Sequence, residues 1–198
     1  EMFGEEYTLV ACADYVLSKT KGNTVSNMSS SRALRDITEK HGQTYEASAV
    51  GEVNVVELMK KNNAIIGGEG NGGVILPALH YGRDALAGIA LILSLLAEKK
   101  MKPSELKASY PSYHISKNKI QLRPEINVDE LLVKFAEHNS KEEVKTIDGV
   151  KVDYKDGWVH LRKSNTEPII RIYAESKSTE SAESLAENIM QDIRLMGK

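Results

Sequence analysis

Apolar residues recur at alternating helical and strand spacings through the first half of the chain. Leu9, Val10, Ala13, Val16 and Leu17 fall on one face of a helix. Helices and strands then alternate, which predicts an α/β layer domain. The predicted strands cover residues 24–28, 45–50, 64–67 and 74–76, and the further helices cover residues 32–40, 53–61 and 84–99.

The helix predicted over residues 84–99 is apolar on nearly every face, and we therefore expect it to be buried. Asp84 directly precedes the apolar run and is placed to accept a hydrogen bond from the first turn. Asp84 is predicted to be the N-cap of this helix.

The chain divides near residues 110–116, which show little periodicity. Beyond them, Asn127 and Glu130 form a capping-box pattern before a helix over residues 131–138, and a final helix carries apolar residues from 182 to 193. Three or four strands are predicted between residues 144 and 173, with Asp-Gly turns at 148–149 and 156–157. We predict two domains, residues 1–118 and 119–198, the second a smaller α+β domain with an antiparallel sheet and helices on one face.

Composition narrows the class of protein. The 198 residues are 41% hydrophobic and 27% charged, with a net charge of −2, which is typical of a globular protein and argues against a nucleic-acid surface. The longest apolar run, residues 85–97, is too short to span a membrane. Cys12 is the single cysteine; it suits the reducing cytoplasm and is interpreted as buried packing rather than a nucleophile.

The densest polar motif is Arg-Lys-Ser-Asn-Thr-Glu-Pro at residues 162–168, followed by Arg171. Apolar, β-rich stretches flank it, so the motif is predicted to be a loop between two strands. Guanidinium groups suit bidentate phosphate binding, and Ser, Asn and Thr can add hydroxyl and backbone N–H donors. A polar hairpin with solvated arginines is the alternative, but the density of donors favours a phosphate site. Its candidate ligands are Arg162, Ser164, Asn165, Thr166 and Arg171.

A second motif, Gly-Gly-Glu-Gly-Asn-Gly-Gly, occupies residues 67–73. It satisfies the dinucleotide fingerprint literally, but a strand-like segment follows where that fingerprint needs a helix. One carboxylate and one amide on a bare loop instead suit sugar hydroxyls, unless the segment is only a glycine-rich hairpin. The predicted sugar-binding residues are Glu69 and Asn71, with Gly70 and Gly72 allowing close approach of the ring.

Together the two motifs resemble loops of the α-D-phosphohexomutase superfamily, which contains phosphoglucomutase, phosphomannomutase and phosphoglucosamine mutase. Arg-x-Ser-Asn-Thr-Glu-Pro-x-x-Arg resembles the phosphate-binding loop of the last domain, with Asn165 where many relatives have Gly. The glycine-rich segment is similar to the sugar-specificity loop of the third domain, Gly-Glu-x-Ser-Gly-His. Here Asn71 replaces Ser and Gly73 replaces His, so no proton-transfer role carries over to position 73.

This resemblance implies that the chain holds the third and fourth domains of a mutase that interconverts hexose 1- and 6-phosphates. The phosphoserine loop and the Asp-rich Mg²⁺ loop belong to the first two domains, so no catalytic residue is assigned here and the isolated chain is predicted to be inactive. Hexose 1,6-bisphosphate is implied as intermediate and activator, and the N-terminal domains as partners of this chain. Residues 29–31 are three serines, interpreted as a helix start rather than a nucleophile, and the five histidines lack paired metal-ligand spacing.

Two other classes of function remain open at this point. The chain could be a stand-alone, non-catalytic module that binds a sugar phosphate, or, less favoured, a nucleotide-sugar-binding domain. The motifs also do not distinguish glucose, mannose and glucosamine phosphates, whose shared hydroxyls this loop can reach.

Overall fold

A computed structural model describes residues 2–121, 123, 126–164 and 169–197. Contacts divide the chain into two compact units, Glu1–Ser112 and Tyr113–Lys198. This division lies before the predicted boundary at residues 118 and 119, because the strand His114–Gln121 pairs along its length with the last strand of the second sheet. The sequence of that strand is mostly polar, so it carries no apolar pattern from which it could be predicted.

The first unit has the predicted α/β architecture. Its described elements are α1 (Glu5–Lys19), β1 (Asn23–Asn27), α2 (Ala33–Lys40), β2 (Tyr45–Ser48), α3 (Glu52–Lys61), β3 (Ala64–Glu69), β4 (Gly73–Ile75), α4 (Ala85–Lys99) and α5 (Pro103–Ala108). The strands form a mixed sheet in the order β2-β1-β3-β4. Strand β1 is parallel to both of its neighbours, and β4 is antiparallel to β3.

Helices α1 and α4 pack against each other closely enough for Cys12 to contact the Gly88 carbonyl. The Cys12 thiol is fully buried, and burial raises its pKa to about 12. A thiol with so high a pKa is almost never a thiolate at neutral pH, which confirms the predicted packing role.

Helix α4 corrects one prediction. Asp84 is its N-cap, as expected, and accepts a hydrogen bond from the Ala87 N–H at 2.9 Å. The helix is not buried on every face, however: Leu86, Ile89 and Leu93 are 78%, 54% and 60% exposed. Within the first unit α4 packs on α1 and β4, so its apolar composition exceeds what those neighbours cover.

The second unit is the predicted α+β domain. Its described elements are β5 (His114–Gln121), α6 (Val128–His138), β6 (Glu143–Lys145), β7 (Val150–Tyr154), β8 (Gly157–Lys163), β9 (Ile169–Ser176) and α7 (Thr179–Met196). The strands form an antiparallel sheet in the order β5-β9-β8-β7-β6. Helices α6 and α7 bury their apolar faces on one side of this sheet, where Phe135 and Ile189 join the core. Asn127 caps α6 by accepting hydrogen bonds from the N–H groups of Asp129 and Glu130.

Candidate functional site

The glycine-rich segment is the turn of the β3–β4 hairpin. Glu69 pairs with Gly73 at the end of the ladder, which leaves residues 70–72 as the turn. Gly72 has a φ of 86°, a conformation that favours glycine. An antiparallel strand follows the loop, so the helix N-terminus that a dinucleotide pyrophosphate requires is not formed there.

Glu69 is held in place by a buried polar network at the carboxyl ends of β1 and β3. Glu69 is only 7% exposed, and its Oε1 atom accepts a hydrogen bond of 2.9 Å from Asn27 Nδ2. Asn27 Oδ1 accepts in turn from the Ser29 N–H at 2.9 Å and the Ser30 hydroxyl at 3.1 Å. The carboxylate is therefore oriented before any ligand arrives, as a specific binding group needs to be.

The loop backbone is fixed by the same serine segment. Gly70 N–H donates to Ser30 Oγ at 2.9 Å, and a side chain at position 70 would overlap the Glu6 carboxylate. Ser31 has the predicted helix-start role, because its Oγ accepts from the Ala33 N–H at 3.2 Å. Ser30 and Asn27 were not predicted as site residues, since nothing in the local sequence links them to a loop about forty residues away.

Asn71 differs from Glu69 in being exposed at the tip of the turn. Its Oδ1 accepts from the Gly73 N–H at 3.1 Å, an interaction within the turn itself. An open pocket of about 600 Å³ lies beside the loop and is lined by Asn71, Gly72 and Gly73 among others. The hairpin alternative thus describes the backbone correctly, and sugar binding by Glu69 and Asn71 stays a prediction.

The phosphate motif begins at the end of β8. Ser164 N–H donates to the Ile169 carbonyl at 3.0 Å, which links the end of β8 to the start of β9. Arg162 and Arg171 are direct partners across the β8–β9 pair. The other two predicted ligands, Asn165 and Thr166, lie outside the described residues.

A third cation belongs to the same row. Lys119 on β5 is the direct partner of Arg171 on β9, so Lys119, Arg171 and Arg162 lie side by side across three adjacent strands. Directly opposite residues of antiparallel strands share one face of the sheet, and like charges there are destabilising. An anionic ligand would relieve that repulsion. Lys119 was missed by sequence reasoning because only strand pairing brings it beside the motif.

Arg162 is positioned through Asp148 in the β6–β7 connection. Arg162 Nε lies 3.0 Å from Asp148 Oδ2, an ion pair without hydrogen-bond alignment at that nitrogen. The Asp148 carbonyl accepts from His160 Nε2 at 2.7 Å. His160 is 1% exposed, and burial lowers its pKa to about 4 although this hydrogen bond opposes the shift. His160 is therefore neutral at pH 7 and donates from Nε2.

Both units are similar to domains of known proteins. Residues 4–113 match the phosphoglucomutase/phosphomannomutase alpha/beta/alpha domain III, and residues 120–192 match the phosphoglucomutase/phosphomannomutase C-terminal domain. The two units thus define the C-terminal half of a phosphohexomutase. The chain belongs to the phosphoglucomutase/phosphomannomutase family, which confirms the resemblance found in its motifs.

Individual relatives agree. The chain is 38% identical over 172 residues to a phosphoglucosamine/phosphogalactosamine mutase of Sulfurisphaera tokodaii, covering 86% of this chain and 37% of that protein. It is 38% identical over 178 residues to a phosphoglucomutase/phosphomannomutase of Thermococcus kodakarensis, covering 88% and 39%. A crystal structure of a family protein from Burkholderia thailandensis shares the fold, with a TM-score of 0.80 at 22% identity over 99% of this chain and 42% of that one.

The chain therefore spans about two fifths of the length of these relatives. Among the described helices, none combines the length and apolarity that a bilayer crossing needs. The described residues also contain no group of three or more His, Cys, Asp or Glu side chains placed to hold a metal ion.

Proposed function

We propose that this chain is the substrate-recognition half of a mutase that interconverts hexose 1-phosphate and hexose 6-phosphate. The observation that carries the proposal is the row of Lys119, Arg171 and Arg162 in a member of this family. Guanidinium pairs suit phosphate, and like charges opposite each other on one sheet face are destabilising, so a bound anion would stabilise the row. The parent enzyme would be an isomerase.

Arg162, Arg171 and Ser164 bind the phosphate that is not reacting, together with Asn165 and Thr166. Lys119 adds charge to the same site. Glu69 accepts hydrogen bonds from ring hydroxyls, and its bond from Asn27 leaves the second carboxylate oxygen for this purpose. Asn71 contributes a second polar contact at the exposed tip of the turn.

The chemical steps belong to the domains that precede this half in the longer relatives. A phosphoserine passes its phosphoryl group to the free hydroxyl of the sugar, forming hexose 1,6-bisphosphate, which turns around and returns its other phosphoryl group to the serine. The P–O bond to one oxygen breaks as the bond to the other forms, so positioning and charge neutralisation are the main requirements. Mg²⁺ would be held by the Asp-rich loop that the resemblance assigns to a domain outside this chain.

The substrate class is a hexose phosphate, which the names of the relatives support without agreeing on the sugar. One is a phosphoglucosamine/phosphogalactosamine mutase and the other a phosphoglucomutase/phosphomannomutase. The greater length of these relatives favours a mutase half over a stand-alone binding module.

The test is a coupled assay of the full-length parent protein with glucose, mannose and glucosamine 1-phosphates, Mg²⁺ and the matching bisphosphate. We expect turnover of at least one substrate, and loss of most of it in Arg162→Ala. Arg194→Ala is the matched control, since Arg194 is an exposed arginine on α7 outside the row. A parent protein that binds hexose phosphates without turning any of them over would support the module instead.

A further inference from the structure

Arg83 occupies the space that a side chain at position 73 would fill. Gly73 ends the sugar loop, and a Cβ atom built on it would lie 2.6 Å from Arg83 Cδ and 3.2 Å from Arg83 Cγ. A larger residue at 73 would therefore displace Arg83 from the loop. The absence of a side chain at Gly73 is what admits the arginine stem.

Arg83 is held in that place at both its backbone and its side chain. Its backbone forms an antiparallel bridge with Ile75 of β4. Its Nε atom lies 2.7 Å from Glu52 Oε2, and its N–H donates to Glu52 Oε1 at 3.3 Å. Glu52 starts helix α3, so two separate elements of the first unit, β4 and α3, fix the backbone and the side chain of Arg83.

The terminal amino groups of this guanidinium remain available for a ligand. Glu52 engages Nε, and among the described residues Arg83 shows no hydrogen bond from Nη1 or Nη2. The side chain is 51% exposed, and Arg83 and Glu52 line the same 600 Å³ pocket as Asn71 and Gly73. An exposed Arg–Glu pair is ordinarily a surface salt bridge of little value. Here the pair lies in a pocket beside the loop that follows Glu69, whose polar groups are already oriented. The two terminal amino groups of the Arg83 guanidinium make no hydrogen bond to the described residues.

We propose that Arg83 is a phosphoryl-binding residue of the sugar-loop pocket, oriented by Glu52 and admitted by Gly73; this rests on the proposed function. Two terminal amino groups of a guanidinium match two oxygens of a phosphoryl group, and the charge of arginine is permanent at neutral pH. The pocket thus has a cation of its own, in addition to the row on the second unit. Arg83 binds the phosphoryl group that is being transferred, while Glu69 and Asn71 hold the ring.

The experiment measures kcat/KM of the full-length parent for glucose, mannose and glucosamine 1-phosphates. We expect Arg83→Ala to lower the value for each sugar phosphate that the wild-type parent converts, by a similar factor on the order of ten- to a hundredfold. Added methylguanidinium should restore part of the activity of Arg83→Ala by filling the vacated space. Lys19→Met is the control, because the Lys19 side chain is as exposed as that of Arg83 and pairs with Glu98, and neither residue lines the pocket.

A double-mutant cycle with Gly73→Ala tests whether the space at Gly73 is what admits the Arg83 side chain. Gly73→Ala alone should reproduce the loss, because the new Cβ displaces Arg83, and the double variant should lose no more than Arg83→Ala. Melting temperatures of all variants are recorded. If Arg83→Ala does not fold, Arg83→Lys decides: it keeps the charge but cannot contact Glu52 and a phosphoryl group in the same geometry, so we expect an intermediate loss.

Several outcomes would overturn the inference. One is an Arg83→Ala enzyme that folds and keeps its efficiencies within about twofold of wild type, or an Arg83→Lys enzyme that does so if Arg83→Ala fails to fold. Another is a loss confined to one sugar, which would mean that Arg83 contacts a ring hydroxyl. A wild-type parent without turnover contradicts the proposed function instead, so the two failures are distinguishable.

Discussion

Arg162 and Arg171 lie directly opposite each other on the antiparallel strands β8 and β9, with Lys119 on the far side of Arg171. A sheet does not gain stability from three cations in one row. Asp148 offsets part of the charge through its ion pair with Arg162. An anion bound at this row would offset the remaining positive charge, which is the basis of the proposed phosphate site.

Removing one cation from the row of Lys119, Arg171 and Arg162 should weaken the binding of all hexose phosphates to a similar extent. In the parent enzyme, Arg171→Ala should weaken every hexose phosphate alike, by about 1.5–3 kcal/mol or ten- to a hundredfold in kcat/KM. Lys119→Met should have a smaller effect of the same uniform kind, because lysine contributes a single point charge. Lys117→Met is the control, since Lys117 lies on the same strand but pairs with Tyr173. Equal effects of the two lysine variants would remove Lys119 from the site.

Glu69→Gln should change the selectivity among sugars and leave phosphate binding unchanged. A glutamine can still accept the Asn27 hydrogen bond through its carbonyl oxygen, so the buried network is retained. Its amide nitrogen, however, can no longer accept from a ring hydroxyl. We expect the ratio of kcat/KM values among glucose, mannose and glucosamine phosphates to shift, while inorganic phosphate competes as before.

The matched control for this variant is Glu98→Gln, an exposed carboxylate paired with Lys19. Three efficiencies that all equal those of wild type in Glu69→Gln would mean that the hairpin has no part in sugar recognition.

His160 predicts a loss of stability in mild acid. Burial lowers its pKa to about 4 in the folded chain, against about 6.5 when unfolded. Between these values the unfolded state binds the extra proton, so the free energy of unfolding should fall as the pH drops from above 6.5 towards 4, by at most about 3 kcal/mol. Denaturant unfolding at a series of pH values measures this slope.

His160→Gln should reduce that slope, because the group that titrates is gone. His138→Gln should leave it as in wild type, since His138 is exposed on α6. An unchanged slope in His160→Gln would show that His160 is not the group responsible.

The isolated chain of 198 residues should show no mutase activity. Neither a phosphoryl donor nor a Mg²⁺ site is assigned to it, and recognition residues alone cannot transfer a phosphoryl group. A coupled assay with hexose 1-phosphate, the bisphosphate and Mg²⁺ should give the rate of the blank, while the full-length parent gives turnover. Metal-dependent turnover by the chain itself would contradict the assignment of the catalytic loops to other domains.

The sequence determined the local chemistry and the fold class. The alternation of helices and strands, the Asp84 and Asn127 caps and the Asp-Gly turns depend on neighbours within a few residues, and the structure confirms both caps. Both motifs are contiguous as well, which is why the family could be recognised from them. Contiguous residues carry their own geometry, because a short loop between two strands has few ways to close.

Only the tertiary structure decided which distant residues join those motifs. Lys119 lies beside Arg171 because β5 pairs with β9. Asn27 contacts Glu69 because β1 and β3 are parallel neighbours. Arg83 enters the sugar-loop pocket through its bridge to Ile75. None of these contacts can be predicted from the spacing of apolar residues. That spacing shows which face of an element is buried, whereas strand pairing determines which distant residues become neighbours.

Helix α4 shows that apolar composition can also indicate more burial than the fold provides. Its composition indicated burial on nearly every face, yet Leu86, Ile89 and Leu93 are exposed in this chain. Apolarity records how much surface favours burial, whereas the neighbours that cover it are set by the three-dimensional arrangement of the other elements. The sequence determined that this helix is apolar on nearly every face, and the fold decided that α1 and β4 pack against only part of that surface.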